Sequence, residues 1–371
     1  MSAPLSVTFY TADQNPHRDR SLGITGYTKG LLSSLQKCRP EIVLKTFSSK
    51  NGAIFPSNSS CRLCWRTDRT LPRIFTDHLH SPFLQRADIY HYPKGFLPIL
   101  QVNRPVIITL HDTILQHYAD YYPNERNRMA YLYWINLMKW SVERATAVFT
   151  VSQSVSMSLA SFCERHNIHQ PRTICTYEGA HGEEEAGKLW PKRDYVMAFC
   201  SSHPHKRTST LLQFWKELQA ENLVPPLILI GSISHSDQAV LSKLKNITHM
   251  PFVPSDTLKD LLRSARALIL PSEIEGFGLP ALEAVYASTP VVFVKGTAVE
   301  EILGHPDSCG FSLTDLQSFY IALSEAMRVP IEDIASLALR LRKIYSWQRV
   351  AERTLAAYRE VLSLPSARFY V

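Results

Sequence analysis

No apolar run in this sequence reaches the roughly 18 residues that a membrane-spanning helix requires, which argues against an integral membrane protein. Met1-Ser2-Ala3-Pro4 leads straight into a strand-like run and lacks the long apolar core of a signal peptide, so a cytoplasmic protein is the simple expectation. Cysteine is sparse and odd in number, at Cys38, Cys61, Cys64, Cys163, Cys175, Cys200 and Cys309. Scattered thiols of this kind fit reduced side chains better than a disulfide framework. Cys61-Arg62-Leu63-Cys64 has metal-ligand spacing but lacks a second Cys pair or a His-x3-His partner, so ordinary loop thiols are expected. There is no internal repeat and no low-complexity tract. A Lys/Arg-rich tract and an aromatic RNA-binding signature are also missing, which argues against a nucleic-acid partner.

What is present begins with size. A chain of 371 residues exceeds the usual single core and points to two domains of about 150–200 residues. Short β-branched or apolar runs alternate with helical patterns throughout. Strands are expected at Ser6–Tyr10, Ile42–Phe47, Asp88–Tyr92, Val106–Leu110, Ala147–Val151 and Thr173–Tyr177. A second series follows at Tyr195–Cys200, Leu227–Ile230, Thr248–Phe252, Ala267–Leu270 and Val291–Val294. Helical patterns occupy stretches such as Thr25–Gln36, Thr208–Gln219 and Thr257–Ser264. Continuous apolar strands suit a parallel sheet covered on both faces, so the alternation predicts an α/β protein with two doubly wound sheets facing a central cleft. The polar stretch 180–187 before Pro191 sets the boundary, giving domains 1–190 and 191–345 with a final helix over 346–371. Residues 50–75 read as a long irregular loop.

The net charge of +7 is uneven: residues 1–190 hold 21 Lys/Arg against 15 Asp/Glu, and residues 191–371 hold 19 against 18. The excess on the first half suits an anionic partner, or else is simply a soluble basic surface. Tyr131, Tyr133, Trp134 and Trp140 with Lys139 form an aromatic, basic helical stretch. It either docks on a membrane surface or packs against the sheet.

The most informative segment is Leu270-Pro271-Ser272-Glu273-Ile274-Glu275-Gly276-Phe277-Gly278-Leu279-Pro280-Ala281-Leu282-Glu283-Ala284. A buried strand ends, a glycine-rich turn follows, and Pro280 stands where a helix starts. Gly276 and Gly278 leave backbone N–H groups accessible, and a new helix N-terminus favours negative charge. The carboxylates of Glu275 and Glu283 can each accept two hydroxyl hydrogen bonds, as a sugar ring or ribose requires. A second cluster, His203-Pro204-His205-Lys206-Arg207, follows the strand ending at Cys200. Fixed cations there can stabilise a departing diphosphate.

On these residues the chain resembles the retaining glycosyltransferases of family four, whose fold is the B-type pair of Rossmann domains (GT-B). Their hallmark Glu-x7-Glu within Glu-Gly-Phe-Gly-Leu-Pro-x-x-Glu-Ala is reproduced at Glu275–Glu283, and Ser288-Thr289-Pro290-Val291-Val292 follows as in the family. The resemblance implies that Glu275 contacts donor-sugar hydroxyls and Glu283 holds the ribose. It implies too that the Gly276, Phe277, Gly278 and Leu279 backbone meets sugar and diphosphate, with the nucleobase near Val253. His205-Lys206 occupies the place of the family's Arg-Lys pair, making Lys206 the phosphate-binding lysine. His205 and Cys200 depart from the usual Arg and Gly. After strand Val106–Leu110, His111-Asp112 matches the family's His-Asp and implies that His111 lies near the reacting carbon; Asp88-Ile89-Tyr90-His91 resembles the Asp-x-x-His before it. Gly23-Ile24-Thr25-Gly26-Tyr27 resembles the glycine-rich loop near donor and acceptor. Ser346-Trp347-Gln348-Arg349-Val350-Ala351 opens a last helix expected to cross back onto the first domain.

The implied activity is retaining, metal-independent transfer of a hexose from a UDP- or GDP-linked sugar to a glycan or lipid-linked acceptor in surface-polysaccharide, lipopolysaccharide or glycolipid assembly. The nucleotide sugar is then a substrate and no cofactor is implied; there is no Asp-x-Asp pair of the kind some other glycosyltransferases use. The basic first domain suits peripheral contact with the inner face of the cytoplasmic membrane. The rivals are a nucleotide-sugar epimerase on the same fold and a non-catalytic nucleotide-sugar-binding partner.

Overall fold

The computed structural model describes residues 4–14, 22–38, 41–48, 59–62, 76–100, 102–125, 127–304 and 309–363. They form two compact units: Met1–Gly179 joined by Trp347–Val371, and Ala180–Ser346. Each is built on a wholly parallel sheet.

The first unit contains β1 (Leu5–Tyr10), β2 (Ile42–Ser48), β3 (Ser59–Arg62), β4 (Ile89–Tyr92), β5 (Val106–Leu110), β6 (Ala147–Thr150) and β7 (Arg172–Cys175), in the order β3-β2-β1-β4-β5-β6-β7. Val106-Ile107-Ile108-Thr109-Leu110 is buried along its whole length, as a central strand covered on both faces must be. β3 lies within the stretch read from sequence as an irregular loop, which corrects that expectation. Its Ser-Ser-Cys-Arg sequence has no apolar run to announce it, and pairing with β2 alone makes it an edge strand. Of the Cys61–Cys64 pair, Cys64 and the Cys61 side chain lie outside the described residues.

Gly23 and Gly26 are also corrected: they sit in the first turn or two of the helix Leu22–Leu35, not in a loop. Glycine disfavours a helix interior by about 1 kcal/mol, and burial of Tyr27, Leu31, Leu32 and Leu35 offsets it. Gly30 in the same helix has a packing reason. A Cβ there would stand 2.4 Å from the Trp347 ring, and one at Gly179 would stand 2.6 Å from it. Two glycines thus form a slot for the indole that begins the final helix, Trp347–Ser363. That helix buries Val350, Thr354, Tyr358 and Val361 on one face and packs on helix Leu22–Leu35. His91, within fully buried β4, contacts the Tyr358 hydroxyl through Nδ1 (2.5 Å) and Thr109 Oγ1 through Nε2 (2.7 Å). The Asp-x-x-His histidine is therefore a structural link between sheet and terminal helix.

The second unit contains β8 (Val196–Cys200), β9 (Leu227–Gly231), β10 (Ile247–Met250), β11 (Leu268–Leu270), β12 (Val291–Val294) and β13 (Gly310–Phe311), in the order β10-β9-β8-β11-β12-β13. The division between units falls at Gly179–Ala180 and not at 190–191. Residues 180–190 pack with the second unit through the turn Glu183–Glu185, an Arg263–Glu185 ion pair (2.9 Å) and a Ser288 hydroxyl donating to the Lys188 carbonyl (2.5 Å). No described helix is long and apolar enough to cross a membrane.

Candidate active site

In an open parallel sheet, ligands collect outside the carboxyl ends of the strands where the strand order reverses. In the second unit that point lies between β8 and β11. The chain leaves β8 through Cys200 into the turn Pro204–Lys206 and helix Thr208–Ala220; it leaves β11 through Leu270 into the Glu275–Gly278 turn and helix Leu279–Tyr286. Both sequence-singled segments therefore arrive at one place. Lys206 Nζ donates to Glu275 Oε1 at 2.5 Å, with the Lys206 side chain 31% and the Glu275 side chain 14% exposed. The turns are also joined by their backbones, Glu273 N–H donating to the His205 carbonyl at 3.0 Å.

A second ion pair, not singled out from sequence, lies beside the first. Arg207 Nε donates to Glu273 Oε2 at 2.6 Å. Arg207 is at φ 49°, a left-handed conformation uncommon outside glycine, and caps the helix Thr208–Ala220. The only signal available beforehand was a basic residue following Lys206 and an acid two before Glu275. His205 is buried, its ring 5.9 Å from that of His203.

The turn after β11 needs its glycine at 278. Gly278 has φ 91°, and a Cβ there would lie 2.7 Å from Val299 Cγ2. It opens the helix Leu279–Tyr286, with Pro280 in the first turn where no N–H partner is required. Phe277 is buried against Tyr345 with ring centroids 5.6 Å apart, so its side chain anchors the turn.

Glu283 lies one turn further along. Burial pushes its carboxyl up to about 7 from an ordinary 4.5; a hydrogen bond from the His181 backbone and the Lys259 charge oppose that rise. Val253 follows β10, and its neighbour Phe252 is 82% exposed.

In the first unit, His111 leaves the carboxyl end of β5. Its Nε2 lies 2.8 Å from the Pro93 carbonyl, which fixes a proton on that nitrogen. Nδ1 is left facing Glu178 Oε2 at 3.9 Å. Burial lowers the imidazole pKa to about 4, partly opposed by the Pro93 hydrogen bond, so the ring is neutral at pH 7. Tyr27, from the Gly23–Gly26 helix, packs edge-on to it at 4.8 Å. Asp112 accepts from the Ile114 N–H (3.0 Å) and shapes the start of the next helix. Glu178 is a buried acid the sequence reading passed over. Tyr177 before it takes φ 63°, a conformation costing a non-glycine residue roughly 1–2 kcal/mol, and the Arg353 guanidinium lies over its ring at 4.9 Å.

Among the described residues no three His, Cys, Asp or Glu side chains converge as a metal centre would require.

The family description "Glycosyl transferases group 1" matches residues 182–328, the stretch containing both ion pairs and the Gly278 turn. The O-antigen chain mannosyltransferase B of Escherichia coli is 26% identical over 298 residues, covering 73% of this chain and 74% of that protein. The O-antigen chain mannosyltransferase RfbU of Salmonella typhimurium is 29% identical over 215 residues, 56% of each chain. Among solved structures, sucrose-phosphate synthase from Thermosynechococcus elongatus superposes with a TM-score of 0.69 over 97% of this chain and 99% of that one, at 14% identity. Residues 182–328 thus carry the group 1 glycosyl transferase signature, on an α/β fold of the GT-B class.

Proposed function

We propose that the protein is a retaining, metal-independent hexosyltransferase. In this reading it moves a hexose from a UDP- or GDP-linked sugar onto an acceptor hydroxyl during surface-polysaccharide, lipopolysaccharide or glycolipid assembly. The observation that carries the reading is the Lys206–Glu275 pair at the reversal point of the second sheet. The second unit binds the donor and the first the acceptor. The names of the two bacterial relatives make mannose the first hexose to test.

Lys206, with the backbone from Gly276 through Phe277 and Gly278 to Leu279 at the head of its helix, meets the diphosphate. Positive charge fixed there stabilises the departing dianion more than the bound donor, which is the condition for accelerating bond cleavage. Glu275 accepts hydrogen bonds from hydroxyls of the donor sugar, and its pairing with Lys206 holds both groups in place before the ligand arrives. Glu283 accepts from the ribose hydroxyls. The backbone at Val253 meets the nucleobase, and the bare ring of Phe252 offers it an apolar face. His205 supports the turn through its carbonyl.

As the glycosyl–phosphate bond breaks, positive charge spreads over the sugar ring. The acceptor hydroxyl enters on the face the diphosphate leaves, and the leaving oxygen takes its proton. His111 binds its proton too weakly to act as an acid at neutral pH, which suits it to positioning beside Glu178. Gly23 and Gly26 lie at the adjoining helix end, where a Cβ at Gly23 would meet nothing within 4 Å among the described residues. In this reading the nucleotide sugar is the donor substrate and the reaction needs no cofactor. The exposed Met129 and Leu132 beside Arg128 on helix Arg128–Arg144 support peripheral contact with the inner face of the cytoplasmic membrane.

A panel of UDP- and GDP-sugars with lipid-linked and oligosaccharide acceptors, in the presence of EDTA, tests this reading. A product with the donor's anomeric configuration is expected. Lys206→Ala and Glu275→Ala should lose about a hundredfold or more of turnover, the range for removing one transition-state stabilising group. An altered donor formed without acceptor would mean an epimerase, and nucleotide binding without turnover would mean a non-catalytic binder.

A further inference from the structure

The first sheet has its own reversal point, between β1 and β4, and a solvent-open pocket occupies it. Tyr10 and Asp13 reach the pocket from the end of β1, and Lys94 from the turn after β4. Asp77 and His78 come from the segment before that strand, and Trp134 from helix Arg128–Arg144. None of these residues takes part in the reaction described above, yet Lys94 adjoins Pro93, whose carbonyl pairs with His111.

The lining is organised. Tyr10 donates its hydroxyl to Asp77 Oδ1 at 2.8 Å. Burial and the carboxylates of Asp77 and Asp13 keep that phenol protonated. Lys94 Nζ donates to the Asp13 carbonyl at 3.3 Å. His78 Nε2 lies 3.0 Å from the Tyr133 hydroxyl, while its Nδ1 is buried with no hydrogen-bond partner among the described residues. A buried imidazole nitrogen of that kind calls for a partner. Trp134, half-buried, supplies an aromatic wall. The pocket offers about 40 Å³, room for a few waters at roughly 10–15 Å³ each. That is space for polar groups of a ligand beside the Trp134 indole.

We propose that this pocket is a sugar subsite for the acceptor, built for an uncharged, hydroxyl-rich ring. Carboxylates accept hydroxyl hydrogen bonds, the imidazole and ammonium groups offer complementary partners, and the indole covers the apolar face of the ring. Two carboxylates against one ammonium disfavour a phosphate or other anion in the same place. The overall positive charge of this half of the chain is therefore not what selects the ring. The inference rests on the glycosyltransferase reading, from which the acceptor takes its chemical class.

Saturation-transfer NMR and calorimetry on the full chain test it, with neutral disaccharides of mannose, glucose, galactose and rhamnose as probes and mannose 6-phosphate and inorganic phosphate as anionic arms. At least one neutral disaccharide should bind, about tenfold or more weakly to Asp77→Asn and to Trp134→Ala, and more tightly than either anion. Nucleoside diphosphate affinity should be unchanged in both variants. Asp77→Asn keeps an oxygen to accept from Tyr10, so the test survives even if Trp134→Ala unfolds. The proposal is overturned if no neutral disaccharide binds, if Asp77→Asn binds as wild type does, or if the anions bind more tightly. Failure of nucleoside diphosphates to bind at all would instead count against the donor site, leaving the disaccharide result to be read on its own.

Discussion

Glu283→Gln should make the unliganded protein more stable and a poorer nucleotide binder. The Glu283 carboxyl has a pKa near 7 in the folded chain against an ordinary 4.5. For an acid whose pKa rises on folding, the unfolded chain releases its proton first. Stability on this account is full below pH 4.5 and falls as the pH climbs through 7. At about 1.4 kcal/mol per pKa unit, the shift corresponds to roughly 3 kcal/mol at pH 8, an upper figure for a partly accessible side chain. Glutamine carries no charge to bury, so the variant escapes that loss. For a unit of this size each kcal/mol moves the midpoint by about 2–4 °C. Thermal unfolding of the two proteins should therefore coincide near pH 4.5 and separate by about 5–10 °C at pH 8. The same substitution removes the charge that accepts the ribose hydroxyls, so affinity for nucleoside diphosphates should fall about tenfold. Wild-type affinity should rise with pH through 7, because the ionised carboxylate is the binding form. Melting curves that differ equally at both pH values would refute the reasoning.

The first unit should respond to acid in the opposite sense. Burial lowers His91 to about 3, and His80 and His111 to about 4, all from 6.5. Such bases stay neutral when folded while the unfolded chain takes up protons below 6.5, which removes up to about 2 kcal/mol per histidine by pH 5. His91→Gln should lower stability at pH 7.5 but flatten its decline toward pH 5, as read by denaturant titration; an unchanged slope would argue against a buried neutral ring. Gly30→Ala, which in an ordinary helix interior gains about 1 kcal/mol, should here cost about 1–3 kcal/mol by overpacking Trp347. The indole is held on its other side by Gly179 and has nowhere to slide. Limited proteolysis should then release the terminal helix sooner, and a stabilised variant would contradict the slot.

Much of this was legible in the order of residues. β9, β11 and β12 are written as unbroken apolar runs, because parallel strands covered on both faces leave no room for polar alternation. The Glu275–Glu283 turn was legible because its glycines, proline and acids are adjacent in sequence. β3 was not, since an edge strand of Ser, Ser, Cys and Arg carries no periodic signal. Nor was the true start of the helix expected over Thr25–Gln36: it begins at Leu22 and takes in Gly23, held by the buried residues beyond it. The Arg207–Glu273 pair, the Glu178–His111 approach and the Trp347 slot each join residues at least 66 positions apart. The pocket at the first reversal point gathers its lining from four separate segments. Contacts of that kind exist only after the sheet has set the register.

The central claim is that Lys206 and the Glu275 turn together form a diphosphate site. Calorimetric titration of Lys206→Ala and wild-type protein with a nucleoside diphosphate and with the matching free nucleoside tests it most directly. Removing a charged partner should weaken the diphosphate about ten- to a hundredfold and leave the nucleoside unaffected. Equal diphosphate affinity in the two proteins would contradict it.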